Sequence, residues 1–310
     1  MKYYSNKLMM LVCATAFSVT ACSSSNSFSD PVDFDTPSEA PNPVPAQGTA
    51  KTFITTADGV YSLAQGEVKL YNGVSMAPTT IELDLNKKYQ TIDGFGYAIT
   101  YSSCYNLMQM TPEARQALLK RIYSTTEGYG VSYARISLGC NDFSSTEYTY
   151  CDTKGSESDP ISNFALYSDE NDYVIPVLKE ILAINPNLKI IAAPWTCPKW
   201  MKVTDINTKN PKDSWTDGHL NPDYREVYAK YFVKFINVMK EKGINIYAVS
   251  PQNEPLNKAN CASLYMPWQE EAPFVKELQR SLRRITCRPR FMSSITITTM
   301  TRLPIRKIIL

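Results

Sequence analysis

From Gln90 onward, apolar segments of strand length alternate with helical segments of roughly 12 to 20 residues. That alternation restricts the chain to folds built on a parallel sheet with crossover helices. Strands are expected at residues 90–99, 131–138, 188–195 and 245–251. The helices between them are marked at their starts. Thr111-Pro112 and Asn221-Pro222 each place a capping side chain before a proline at the first helical position. Downstream, Tyr228, Tyr231, Phe232, Phe235, Ile236 and Met239 recur at helical spacing, a stripe that belongs to the core rather than to a site.

Four such units begin either a doubly wound sheet or a (β/α)₈ barrel. No G-x-G-x-x-G or phosphate-loop glycine run follows the first strand, so the doubly wound nucleotide-binding fold loses its usual support. Polar and aromatic residues instead gather past the C-terminal end of each strand, where barrel enzymes keep their sites.

The strongest of these clusters is Ser250-Pro251-Gln252-Asn253-Glu254-Pro255, which follows the apolar strand at 246–249. A carboxyl group at a strand's C-terminal end, between prolines that fix the backbone, is placed to deliver a proton to a bound ligand. The alternative is a solvated glutamate capping the next helix. After the third strand, Ala193-Pro194-Trp195-Thr196-Cys197-Pro198-Lys199-Trp200-Met201 offers two flat apolar rings for the C–H face of a sugar. For Trp200, wedging under a neighbouring helix is the competing role. After the second strand, Arg135-Ile136-Ser137 leads to Cys140-Asn141-Asp142-Phe143-Ser144, and after the first strand Asp93-Gly94-Phe95-Gly96 makes a tight turn that admits close backbone approach.

In this order the four motifs resemble glycoside hydrolase family 30, the glucosylceramidase-like glycosidases, over roughly residues 90–278. The resemblance implies a (β/α)₈ barrel with a β side domain and a retaining mechanism on β-linked sugars. It makes Glu254 the general acid/base, has Asn253 hold the hydroxyl next to the reacting carbon, and has Asp142 and Trp195 line the subsite of the sugar cleaved, with Arg135 carried over beside them. Trp200 is a further candidate for substrate binding. Retention needs two carboxyl groups roughly 5 Å apart. In the family the second is a glutamate on strand 7, which this chain is expected not to reach, so the chain as given is expected to be inactive.

Residues 1–22 read as an export signal. Lys2 and Lys7 supply the positive end, residues 8–19 the apolar run, and Val19-Thr20-Ala21-Cys22 a small-residue site ending in cysteine. That pattern is of lipoprotein type and leaves Cys22 as a lipid-bearing N-terminus anchored to the membrane of the cell envelope. A plain secretory signal with an incidental Cys22 is the alternative. Residues 23–50, rich in Ser, Pro and Asp, are expected to form a disordered tether. Residues 51–89 carry alternating runs, Thr52-Phe53-Ile54 and 80–85, near the turns Asp58-Gly59 and Asn72-Gly73, and read as small β hairpins.

Composition excludes several classes. The 32 basic and 30 acidic residues of this 310-residue chain form no long run of one sign, so no nucleic-acid footprint is visible. Past the signal, cysteines stand at 104, 140, 151, 197, 261 and 287 without C-x-x-C spacing and with a single histidine, His219. No zinc, haem or other cofactor is expected. Cys140 and Cys151 either pair in an oxidising compartment or pack as free thiols.

From about Gln279 to Leu310 the texture breaks into an irregular tail where a fifth strand belongs. The neighbouring reading frame over residues 291–301 permits Tyr-Val-Phe-Asp-His-Asn-Tyr-Asn-Tyr-Asp, a strand with the Asp-His-Asn that the family's strand 5 resembles, and a frameshift is the expected cause. Two other classes stay open. A surface glycan-binding lipoprotein would use Trp195 and Trp200 without cleaving anything. An esterase on a barrel is the weaker rival, because no G-x-S-x-G is present.

Overall fold

The computed structural model describes residues 47–71, 81, 84–284 and 289–291. The export signal, Cys22, most of the tether, Asn72-Gly73 and residues 292–310 lie outside the described residues, as do residues 80, 82 and 83 of the 80–85 run. The chain divides into two compact units, residues 1–89 and 90–310.

In the first unit, β1 (Gly48–Ile54) pairs antiparallel with β2 (Ala64–Leu70), in register from Gly48 against Leu70 to Ile54 against Ala64. The strand begins inside the stretch expected to be tether, because Gly48, Thr49 and Ala50 are already paired. The connecting loop contains Asp58-Gly59, with Gly59 at a φ of 74° that glycine adopts without strain.

The second unit is built on one parallel sheet in the order β3-β4-β5-β8-β9. Its strands are β3 (Gly96–Ala98), β4 (Tyr133–Ser137), β5 (Lys189–Ala193), β8 (Ile246–Val249) and β9 (Arg290–Phe291). A small antiparallel pair, β6 (Lys202–Val203) and β7 (His219–Leu220), lies in the connection after β5. Every consecutive strand of the parallel sheet lies beside its predecessor, which is the wiring of a barrel and not of a doubly wound sheet. The first strand is much shorter than the expected 90–99. A side chain at Gly96 would stand 2.0 Å from the Tyr133 carbonyl oxygen, so this segment meets β4 backbone to backbone over only three residues. The other three strands lose one to three residues at their ends, and a bulge between Ile190 and Ile191 shifts the β5–β8 register.

The helices are α1 (Tyr101–Gln109), α2 (Pro112–Tyr123), α3 (Ile175–Ile184), α4 (Arg225–Glu241) and α5 (Trp268–Leu282). Thr111 caps α2 by accepting from the Ala114 amide, as its position before Pro112 requires. Asn221-Pro222 instead starts a 3₁₀ turn, Pro222–Tyr224, and α4 follows directly at Arg225. A π-helical turn, Asp169–Val174, leads into α3. The α4 stripe is core as expected: Tyr228, Tyr231, Phe232, Phe235 and Met239 are all 0% exposed, and Phe274 of α5 packs against Tyr228 and Phe232. Along β4 and β5, Ala134, Ile136, Ile190 and Ala192 are buried in the core while Tyr133, Arg135, Lys189 and Ile191 alternate onto the other, half-exposed face.

The tail begins later than Gln279. Residues 279–282 complete α5, because Phe274, Leu278 and Leu282 keep helical spacing into the core. Arg290–Phe291 then extends the sheet beside Ala248 and Val249.

Candidate active site

Apart from Arg135, which lies within a strand, the candidate residues follow the C-terminal ends of strands. Arg135 is on β4, Asp142 in the loop after it, Trp195 two residues past β5, and Asn253 and Glu254 in the loop past β8. The chain leaves β5 and β8 side by side, and three backbone or amide bonds keep the two exits together. Ser250 donates its amide to the Ala192 carbonyl and Asn253 to the Pro194 carbonyl, at 2.9 and 2.8 Å. The fully buried Gln252 donates its side-chain amide to the Trp195 carbonyl at 2.7 Å.

On that frame the side chains form a chain of contacts. Arg135 Nη2 donates to Asn253 Oδ1 at 2.8 Å, and its guanidinium lies 4.8 Å from the centre of the Trp195 ring. Trp195 Nε1 donates to Asp142 Oδ2 at 3.3 Å. Burial pulls the Arg135 guanidinium below its ordinary pKa, with the charge of Glu254 acting in the opposite sense. Arg135 Nε and Gln252 Oε1 are buried and bond to nothing among the described residues. Arg135, Asp142, Trp195, Asn253 and Glu254 thus come together from three strands.

Trp200 does not join them. Its Nε1 donates to the Cys151 carbonyl at 2.7 Å and its ring stands edge-on to Tyr224 at 5.2 Å, so it packs between loop and helix instead of facing a ligand. Cys140 and Cys151 are both buried free thiols, not a disulfide. The Asp93-Gly94-Phe95-Gly96 turn does not follow the first strand but leads into it, away from the site: Asp93 Oδ2 accepts from the Tyr133 hydroxyl at 3.1 Å and lies 3.8 Å from Lys189 Nζ, at the starts of β4 and β5.

Three groups had no role in the sequence reading. Asn257 and Asn260 donate to the same Glu254 oxygen, Oε2, at 2.7 and 2.9 Å. Lys202, 1% exposed, donates from Nζ to Thr196 Oγ1 and to the carbonyls of Ser214, Trp215 and Ser263. It ties the loop carrying Trp195 to the loop carrying Glu254, and burial pushes its ammonium down to about 8. No periodicity marks these residues. The only sequence signal is that both asparagines follow Glu254 within one short polar loop.

A parallel sheet of βα units thus gathers a carboxylic acid, an amide, a guanidinium and an indole toward its C-terminal edge, where barrel proteins keep their sites. Residues 92–302 match the glycosyl hydrolase family 30 TIM-barrel domain, and the chain belongs to that family. It is 30% identical to the lysosomal acid glucosylceramidase of Mus musculus over 77% of this chain and 44% of that protein. With the endo-1,6-β-D-glucanase BGN16.3 of Trichoderma harzianum it shares 31% identity over 77% of this chain and 50% of that one. The solved endo-β1,6-glucanase BT3312 is 52% identical over 79% of this chain and 51% of its own, with a TM-score of 0.69. The chain spans about half the length of these relatives.

Proposed function

We propose that this chain carries the acid/base side of a retaining β-glycosidase, with β-1,6-linked glucan as its substrate class. The observation that carries the reading is Glu254, set at the end of β8 with its carboxylate held by two amides and Asn253 beside it on Arg135. In a retaining reaction Glu254 gives its proton to the glycosidic oxygen while a second carboxylate attacks the anomeric carbon. Glu254 then takes a proton from the water that releases the sugar. Trp195 supplies an apolar face for the ring, Asp142 and Asn253 supply hydroxyl contacts, and Arg135 holds Asn253 in place. The nucleophile is assigned outside the described residues. The choice of β-1,6-glucan over a glycolipid rests on the relative sharing 52% identity.

The test joins residues 1–282 to the remaining strands of that relative and follows β-1,6-glucan by NMR. Hydrolysis with retained anomeric configuration supports the reading; a folded hybrid that binds glucan and never cleaves it favours a glycan-binding protein and overturns it. Turnover by the 310-residue chain alone, lost in Glu254→Gln, would overturn the placement of the nucleophile. The nucleotide sequence from the Phe274 codon onward tests the frameshift proposed for the tail, which an alternate frame without family-like sequence contradicts. Export with a lipid on Cys22 belongs to the same reading, supported by Lys2, Lys7 and the apolar run before Cys22. A Cys22→Ser chain that stays in the membrane fraction as the parent does contradicts it.

A further inference from the structure

Glu254 is an unusual residue to find at a φ of 42°, the left-handed region that non-glycine residues seldom adopt. Neighbouring bonds hold it there. The Asn253 amide is fixed to the Pro194 carbonyl, the Asn257 amide closes a turn on the Glu254 carbonyl at 2.8 Å, and the Met266 amide binds the Pro255 carbonyl at 2.7 Å. Past that turn, Asn257 Nδ2 and Asn260 Nδ2 both reach Glu254 Oε2, at 2.7 and 2.9 Å. The orientation of the Asn257 amide is set independently, because its Oδ1 accepts from the Ala259 amide at 2.8 Å and its NH₂ must therefore face Glu254.

We propose that Asn257 and Asn260 are positioning residues that make Oε1 the only oxygen of Glu254 able to carry the transferred proton. The proposal rests on the acid/base reading of Glu254 given above. An oxygen that already accepts two N–H groups has both lone pairs occupied, and a proton placed on it would confront two donors. The proton of the acid form therefore sits on Oε1. In the first step it passes from Oε1 to the glycosidic oxygen as the bond from that oxygen to the anomeric carbon breaks and the nucleophilic carboxylate bonds to the carbon. In the second step Oε1 takes a proton from water as the water oxygen bonds to the anomeric carbon and the ester bond breaks. Oε2 keeps its two amides throughout, so the carboxyl plane need not turn between steps.

The test is infrared spectroscopy of the full 310-residue chain labelled with [¹³C]glutamate, with the Glu254 band isolated as the difference from Glu254→Gln. Two donors on one oxygen make the carboxylate asymmetric and widen the gap between its antisymmetric and symmetric stretches. In Asn257→Ala/Asn260→Ala this gap should shrink toward that of a solvated glutamate, with each single variant intermediate. If the double variant fails to fold by circular dichroism, Asn260→Ala alone decides, because its side chain makes only this hydrogen bond among the described residues. A parent gap equal to that of the folded variant overturns the proposal. The outcome is separate from the functional reading, which fails instead if the completed hybrid keeps glucan hydrolysis in Glu254→Gln.

Discussion

The two faces of the parallel sheet are covered differently. On the helix side, Ala134, Ile136, Ile190, Ala192 and Ile246 are 3% exposed or less and belong to one apolar cluster with the rings of α4 and α5, which stack and meet edge-on with one another. On the opposite face Tyr133, Arg135, Lys189, Ile191 and Tyr247 are only half-buried, and Lys189 Nζ lies about 5 Å from the centres of both tyrosine rings. The difference separates stability from chemistry. The helix side gives these strands their apolar burial, whereas the open side holds polar groups whose work is to meet a ligand or the rest of a barrel.

Substitutions on the two faces should therefore differ in kind. The largest effect is expected for Phe232→Ala, which empties a fully buried site and should cost about 3–5 kcal/mol in urea unfolding. A loss under about 1 kcal/mol would mean that the helix side is not the main core. Next comes the buried Glu170 in the π-helical turn. Its carboxyl is raised from 4.5 to about 7 by burial, against a hydrogen bond from the Tyr148 hydroxyl at 2.6 Å. A folded-state value above the unfolded one means that the folded chain binds the extra proton. Stability is then fully present below about 4.5 and falls as pH rises through about 7. Glu170→Gln should remove that fall, on the order of 1–3 kcal/mol, and an unchanged pH slope would contradict it.

Beyond the strand ends, Trp195→Ala should weaken binding of a β-1,6-gluco-oligosaccharide by roughly 1–2 kcal/mol, about tenfold or more by calorimetry; Trp195 is itself 9% exposed and part of the apolar cluster, so the unfolding midpoint should fall as well. The smallest effect is expected for Lys189→Met. Its charge is half-exposed beside Asp93 at 3.8 Å, so unfolding should move by less than about 1 kcal/mol.

The same division explains what could be read in advance. Helix-side residues announce themselves: the α4 stripe needs nothing but spacing, and Thr111-Pro112 marks a start by local chemistry. The first strand is shorter than its sequence suggests, because Ile92 and Phe95 look like strand residues yet are 65% and 72% exposed and precede β3. At the site, short motifs lead to Asp142, Trp195, Asn253 and Glu254 in the loops after strands, and to Arg135 within β4. Trp200 fails that logic because one residue type serves stacking and packing alike, and only the Cys151 and Tyr224 contacts separate the two. Lys202, Asn257 and Asn260 act through three-dimensional closure of loops, which leaves no period in the sequence.

The acid/base assignment of Glu254 is tested most directly by the leaving group. In the hybrid completed with its relative's strands, Glu254→Gln should slow β-1,6-glucan hydrolysis by roughly 10²–10⁴-fold, because an alkoxide leaving group needs the proton. Formation of the glycosyl-enzyme from an activated aryl β-glucoside, followed as the burst of released phenol, should fall far less. Equal losses on both substrates, or none on glucan, would contradict the assignment of Glu254 as acid/base.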